Sequence, residues 1–334
     1  IGAGSFGTAI ANLIALNHPV LLYSRNQDLS TKIAENRVHQ GVELNGNVEI
    51  IHDLEKLANS CSLLFPIIPS TSFRSMMKDL GPFLKPSHIL IHGTKGFDSI
   101  EDLENADDLR PDQVFTMSKV IMQESSVVRI GCLSGPNLAK EILEGQPTAT
   151  LIASHFREVI KKGQRVLKSN QFHVFGSPEL LGAELAGALK NSIAIGSGML
   201  AGRGFGKNIQ AMLITRGLTE MVHLGQAMGT GSRAFIGTAG IGDLVATATS
   251  KKSRNFTFGY HLAQGKTKDE IHRTMPELAE GVRTIKITKL LSRHFGLRTP
   301  ITDMLYSAVY DGFPVDKAIH YLMNFPYTVD VDFL

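Results

Sequence analysis

The stretch LAGALKNSIAIGSGMLAG, residues 185–202, carries one charged side chain, Lys190, in a stripe of Gly, Ala, Ser, Leu and Ile. At helical spacing Gly182, Ala186, Lys190, Ala194 and Gly198 share one face, so the turns flanking the lysine have almost no side-chain bulk. Two readings follow. In one, helices pack closely there and the lysine stem runs outward to water. In the other, a substrate and cofactor occupy the space, while partial desolvation and nearby cations bring the amine's proton affinity down toward the working pH, which suits a base. Asn191, next on the helix, adds an uncharged hydrogen-bonding group.

A second cluster, GIGDLVATATSKKSRNFTFG, spans residues 240–259. Asp243 and Thr247 lie one helical turn apart, so a carboxylate and a hydroxyl project together from apolar surroundings. A buried carboxylate requires a partner, and Lys190 is the natural one. In SKKSRN, Ser253 reads as a helix cap with Arg254 beside it and Asn255 following. Arginine's planar donor fork at a helix N-terminus suits a phosphate, and a solvated basic loop is the competing reading.

These groups need a scaffold, and the start of the chain supplies its pattern. Ile1 is followed by GAGSFG, with Gly2, Gly4 and Gly7, and then by the helical TAIANLIALN. This is a dinucleotide fingerprint: a tight turn, a close backbone approach to a pyrophosphate, and close helix–strand packing. VLLYSRN, HILIH, VVRIGCLS and TATLIAS follow as apolar runs separated by helical or turn segments. That alternation predicts an α/β domain with a largely parallel sheet covered on both faces. At the end of the second expected strand stand Ser24 and Arg25, where a cofactor with a free ribose 2′-hydroxyl wants Asp or Glu. Arg25 therefore favours NADP over NAD.

Two further motifs close expected strands, where open α/β sheets bind ligands. HGTKG places Lys95 in a loop without bulky neighbours, able to reach an anion. SGPNLAKE leads Ser134, Gly135 and Pro136 into a helical stretch, with proline suited to the first turn. Beyond FHVFGSPE the pattern turns to long helical segments such as NIQAMLITRGLTEMVHLGQAM. The expected division is therefore a dinucleotide-binding domain over 1–176 and a helical substrate domain over 177–334.

Composition narrows the classes. The chain has 334 residues, 43% apolar and 19% charged, with a formal charge of +3, too small for the basic face that nucleic acid demands. No run reaches the ~18 apolar residues of a membrane span. Cys61 and Cys132 lack metal-ligand spacing and read as buried free thiols, which points to a reducing cytoplasm, and no metal is expected. Ile1 itself falls inside an expected strand.

The ordered set GAGSFG, GTKG, SGPNLAKE, GAELAGALKN, TRGLTEM, GIGDLVATATSKKSRN and AEGVRT resembles the bacterial NAD(P)-dependent glycerol-3-phosphate dehydrogenase family from Gly2 to about Thr284. The resemblance implies a Rossmann-type N-terminal domain, an all-α C-terminal domain, and interconversion of sn-glycerol 3-phosphate with dihydroxyacetone phosphate, supplying phospholipid synthesis. It implies that Lys190 is the catalytic proton acceptor, and in the mechanism that follows from this Asp243 is expected to orient it. Lys95 and Gly135 correspond to substrate contacts, Lys95 also reaching the cofactor; Asn137 stands where serine or threonine is usual, and Ala139 is a cofactor contact. Asp243, Ser253, Arg254 and Asn255 align with the glycerol phosphate block, Arg254 also lying near the nicotinamide, and Asn191 and Thr247 join the substrate set. Ser5, Phe6, Arg25, Leu278 and Glu280 fall on cofactor positions, Phe6 replacing a more usual tryptophan. A homodimer is implied as well. Two other readings remain open: a related two-domain dehydrogenase acting on another hydroxy acid or sugar acid, and a dinucleotide-binding module without chemistry. The SKKSRN cluster favours phosphate over the first, and Lys190, Asn191 and Asp243 argue against the second.

Overall fold

The computed structural model describes residues 1–99, 103, 105–275, 279–326 and 330. The chain divides into two units, Ile1–Asp98 with Thr116–Leu180, and Ser99–Phe115 with Leu181–Leu334.

The first unit alternates helix and strand: α1 (Ser5–Ala15), β1 (Val20–Tyr23), α2 (Gln27–Asn36), β2 (Val48–Ile51), α3 (Leu54–Ser60), β3 (Leu63–Leu64), α4 (Ser70–Leu80), β4 (Ile89–His92), α5 (Met117–Glu124), β5 (Arg129–Ser134), α6 (Ala139–Leu143), β6 (Thr148–Ala153), α7 (Arg157–Leu167) and β7 (Phe172–Ser177). A short hairpin, Val38–His39 against Val42–Glu43, stands between α2 and β2. The strand β4, three apolar residues followed by His92, is buried along its whole length, as a strand covered on both faces is. Helix α1 serves two cores from adjacent rows. Ile10 and Ile14 pack with Ile89, Ile91, Leu133 and Ile152, while Ala11 and Ala15 pack with Leu22, Ile33 and Val48.

The plan is Rossmann-like, but the sheet is mixed and falls into two parts. One part runs β7-β6-β5-β4-β3 and the other pairs β1 with β2. Ile1 links them: its N–H group donates to Phe65 O at 2.8 Å, its carbonyl accepts from Ile67 N at 2.9 Å, and Gly2 N donates to Tyr23 O at 3.0 Å. A cavity of about 320 Å³ lies beside this link, lined by Ile10, Ile14, Leu22, Leu57, Leu64 and Val166 among others. The pairs are parallel except β5 with β6, where Leu151 faces Ser134. The chain turns at Gly135, passes through the five-residue α6 and comes back antiparallel.

The second unit is helical: α8 (Leu180–Gly202), α9 (Lys207–Ala227), α10 (Asp243–Ala248), α11 (Arg254–Ala263), α12 (Lys268–Thr274), α13 (Glu280–His294), α14 (Pro300–Tyr310) and α15 (Val315–Met323). Residues 182–200 of α8 are buried on every side, the mark of a central helix. Its small residues let neighbours reach its backbone. A Cβ at Gly198 would lie 2.0 Å from Phe256 O, and one at Gly259 would lie 1.9 Å from Ile195 O, so α8 and α11 touch backbone to backbone. Of the two readings of the small-residue stripe, close helix packing holds at Gly198, where the space belongs to α11. A wide helical turn, Thr238–Gly242, leads into α10, and Gly240 is required there because a Cβ would meet Phe235 O at 2.0 Å.

Among the described residues, no helix is long and apolar enough to cross a membrane. Both cysteines are free; Cys132 is buried in β5, while Cys61 is only half-buried, at the C-terminal end of α3.

Candidate active site

In the second unit, Lys190 projects from the middle of α8 and is 4% exposed; its stem does not run outward to water. Its ammonium donates to Asp243 Oδ1 at 2.6 Å and also to the hydroxyl of Thr247. The Thr247 hydroxyl in turn donates to the same carboxylate oxygen at 3.3 Å, closing a three-membered ring of hydrogen bonds. Helix spacing accounts for the pairing of Asp243 and Thr247 on α10. Contact with α8 is fixed by Ser197, whose Oγ donates to Ala248 O at 2.6 Å at the far end of α10. Two influences on the amine oppose each other: burial disfavours the ammonium form, and the Asp243 carboxylate, the partner expected from the sequence, favours it. The result is a buried nitrogen held between two oxygen atoms, one of the Asp243 carboxylate and one of the Thr247 hydroxyl.

A second chain of amides starts one residue on. Asn255 Nδ2 donates to Asn191 Oδ1 at 2.9 Å, and Asn255 Oδ1 accepts from Gly281 N at 2.9 Å. It joins α8, α11 and the start of α13, where half-buried Glu280 stands. Gly281 allows that approach, since a Cβ would lie 2.5 Å from Asn191 O. Ser253 caps α11, its Oγ accepting from Phe256 N at 3.3 Å. The cap leaves the hydroxyl proton free in direction, and Arg254 follows, exposed, at the head of the helix. Positive helix end, hydroxyl and guanidinium form an arrangement suited to a phosphate. Leu278 lies outside the described residues.

The first unit holds the glycine-rich turn. Gly2 has φ +101°, the left-handed region, and a Cβ there would lie 2.3 Å from Ile67 O. At Gly7 a Cβ would lie 1.9 Å from Gly2 O, so the third glycine is what lets α1 close onto the turn. Gly4 differs: a Cβ would meet nothing within 4 Å, and the N-terminus of α1 has no side-chain cap. An uncapped helix N-terminus with open space at its head is the kind of end that suits a dinucleotide pyrophosphate. The residues fit such a group. Phe6 packs beside Gly93, where a Cβ would meet its ring at 3.2 Å. Arg25 is exposed just past β1, whereas Arg37 spends its guanidinium on Val48 O and Asn45 O, at 2.7 and 2.6 Å.

The two strand-end motifs meet: Lys95 Nζ donates to Gly135 O at 3.0 Å. Asn137 and Ala139 follow, both half-buried, Ala139 opening α6. Several supporting residues escaped the sequence reading. Thr94 Oγ1 ties the Lys95 loop to Ile68 O at 2.7 Å. His39 Nε2 lies 2.6 Å from Ala3 O, and Ser5 Oγ donates to Gln40 Oε1 at 3.1 Å, so the hairpin braces the glycine turn. No spacing rule signals these, because each bridges residues more than 25 positions apart with an ordinary polar side chain.

Comparisons with known proteins bear on the whole chain. The model described as the NAD-dependent glycerol-3-phosphate dehydrogenase N-terminus matches residues 1–160, and the corresponding C-terminus model matches residues 179–320. Glycerol-3-phosphate dehydrogenase [NAD(P)+] of Teredinibacter turnerae is 37% identical over 337 residues, covering 99% of this chain and 96% of the relative. The crystal structure of glycerol-3-phosphate dehydrogenase from Coxiella burnetii superposes with a TM-score of 0.88 at 28% identity, covering 97% of each chain. A ketopantoate reductase family structure from Ralstonia eutropha, 16% identical with a TM-score of 0.59, covers 95% of this chain and 97% of its own and shares the fold alone. With both halves matched and a relative above a third identical across nearly the full length, the chain belongs to the NAD-dependent glycerol-3-phosphate dehydrogenase family.

Proposed function

We propose that this chain interconverts dihydroxyacetone phosphate and sn-glycerol 3-phosphate with NAD(P) as hydride carrier, and that Lys190 handles the proton. The observation that carries the reading is the buried ring of Lys190, Asp243 and Thr247. The dinucleotide, when bound, supplies hydride to C2 of the ketone and takes it back from the alcohol. In reduction the Lys190 ammonium gives its proton to the C2 oxygen as that oxygen gains charge; in oxidation the neutral amine takes the hydroxyl proton. Asp243 orients the amine and steadies its charged form. Ser253, Arg254 and the N–H groups opening α11 bind the phosphate, and Asn191 and Asn255 turn amide groups to the triose. Gly2, Gly4 and Gly7 with the start of α1 hold the pyrophosphate, with Ser5, Phe6, Ala139, Leu278 and Glu280 as further cofactor contacts. Lys95, Gly135 and Asn137 belong to the anion-binding set.

Replacing Lys190 with Ala removes general acid–base help worth about 10²–10⁴-fold. Turnover, followed by nicotinamide absorbance, falls by that order while dinucleotide affinity stays within a factor of two or so; undiminished turnover would overturn the assignment. Arg25, exposed after β1 in place of an acidic residue, supports a preference for NADP over NAD. Comparing kcat/KM for NADPH and NADH with dihydroxyacetone phosphate decides it. A cytoplasmic location, a homodimer and a role in supplying glycerol 3-phosphate for phospholipids complete the reading.

A further inference from the structure

The turn after β5 is fastened to β6 by Asn137. Its Oδ1 accepts from Thr150 Oγ1 at 2.7 Å, and its Nδ2 donates to Ala149 O at 3.0 Å, so one amide spans two consecutive residues of the strand. The distances fix its orientation, oxygen toward the hydroxyl and nitrogen toward the carbonyl. Thr150 is fully buried, and its hydroxyl has one proton. Its contact with Ser134 O is 3.3 Å, the longer of the two, so the proton goes to Asn137. A hydroxyl side chain at 137 would be too short to reach both partners. The turn is also flush with the strand: a Cβ at Gly135 would lie 3.0 Å from Thr150 Cα, 3.2 Å from Ala149 O and 3.3 Å from Asn137 Oδ1. Thr148 Oγ1 adds a bond to Pro136 O at 2.9 Å. What this fastening holds in place is the Gly135 carbonyl, which accepts from Asn137 N at 2.8 Å and from Lys95 Nζ at 3.0 Å.

We propose that Thr150 is a positioning residue: acting through the Asn137 amide, it sets the Gly135 carbonyl and thereby the station of the Lys95 ammonium. The chain of contacts runs in one direction, from a buried hydroxyl that touches no ligand to a cation able to meet an anionic one. Its kinetic consequence rests on the reading of Lys95 as part of the anion-binding set. Its chemical consequence does not: a lysine nitrogen held against a fixed carbonyl is less open to attack on an anhydride through its free amine form, and release exposes it.

The test is a double-mutant cycle on the full chain between Thr150→Val and Asn137→Ser, with two readouts. Thr150→Val removes the hydroxyl and keeps the shape. It raises KM for dihydroxyacetone phosphate about fivefold to tenfold with kcat changed less than about twofold, the scale of one neutral buried hydrogen bond. It also speeds acetylation of Lys95 by acetic anhydride, read by peptide mass spectrometry, by a few fold. In the Asn137→Ser background Thr150→Val changes neither readout, because the link is already cut. Thr150→Ser, which keeps the hydroxyl, retains wild-type values; Thr150→Ala against Thr150→Ser gives the same comparison should valine hinder folding. Equal effects of Thr150→Val in both backgrounds, or unchanged KM and acetylation in the single variant, would overturn the proposal. If the wild-type chain turns over no dihydroxyacetone phosphate, the functional reading fails, and the acetylation cycle still decides the positioning role.

Discussion

Asp243→Asn isolates what the carboxylate does for the buried lysine. Lys190 and Asp243 are 4% and 2% exposed, and the 2.6 Å bond between them is charge-assisted. The amide keeps the shape and can still accept one hydrogen bond, as can Thr247, but the ammonium loses its counter-charge. Breaking one side of a buried pair costs about 3–5 kcal/mol. Chemistry sets the ceiling, because the amine can release its proton instead. For a lysine with an ordinary value near 10.4, that release costs about 4.6 kcal/mol at pH 7. The variant is therefore expected to lose about 3–5 kcal/mol of stability at pH 7, and the loss shrinks as pH rises. The sign follows from proton counting: above neutrality the folded variant holds a neutral amine and the unfolded chain an ammonium, so unfolding takes up a proton and higher pH favours the fold. The gap to wild type closes by up to about 1.4 kcal/mol per pH unit. Urea unfolding at pH 7, 8 and 9 reads both quantities. Adding Lys190→Met, which removes the stranded cation, restores most of the loss. A penalty below about 1 kcal/mol, or a gap that does not move with pH, would mean that the pair is solvated and the buried-proton reasoning is wrong.

Glu220, buried on α9, accepts from Ile301 N at 2.6 Å, Thr302 N at 3.0 Å and Thr302 Oγ1 at 2.8 Å, capping α14; burial nevertheless pushes its carboxyl up to about 7. A folded value above the unfolded one contributes stability that is present below about pH 4.5 and is lost as pH rises through about 7, worth roughly 3 kcal/mol in all. Glu220→Gln removes that titration, so its stability relative to wild type improves from pH 5 to pH 8 in denaturant melts; parallel curves would refute it. At the glycine turn, Gly7→Ala drives a Cβ against Gly2 O and lowers the melting temperature by several degrees, the effect of about 1–3 kcal/mol of overpacking. Gly4→Ala faces open space, keeps the melting temperature, and weakens dinucleotide binding in a fluorescence titration. Wild-type affinity in the folded Gly4→Ala variant would remove the pyrophosphate from that face.

What could be read from the sequence divides along the range of the interactions. Period and local spacing carried the alternation of helix and strand, the pairing of Asp243 with Thr247 on one helical face, and Ser253 as the cap of α11. Each rests on residues within a turn or two of one another. The junction of Lys190 with Asp243, 53 positions apart, was reachable by a different argument: two charges of opposite sign in apolar surroundings each need a partner. The antiparallel return of β6 was not reachable from apolar runs, because pairing direction depends on the length and path of the connection rather than on the strand itself. Small residues on α8 were ambiguous in the same way. A glycine admits either a ligand or another backbone, and at Gly198 the structure gives the place to α11.

The same distinction holds within each unit. Residues that carry charge, such as Lys95, Lys190, Asp243 and Arg254, stand out in a sequence because burying or clustering a charge is costly and so demands an explanation. The residues that hold them in place do not. Thr94, Thr150, Ser197 and His39 are ordinary polar side chains whose partners, apart from the Asn137 amide facing Thr150, are backbone groups, and any polar residue could make such a bond from the right position. Ser197 shows the consequence for chemistry. Its single bond to Ala248 O binds the end of α10 to α8 on the side away from Asp243, and a six-residue helix fixed at one end has little freedom at the other. The backbone that carries the carboxylate is then already placed beside Lys190, which is how, on the proposed reading of that pair, Ser197 contributes to preorganisation from a distance.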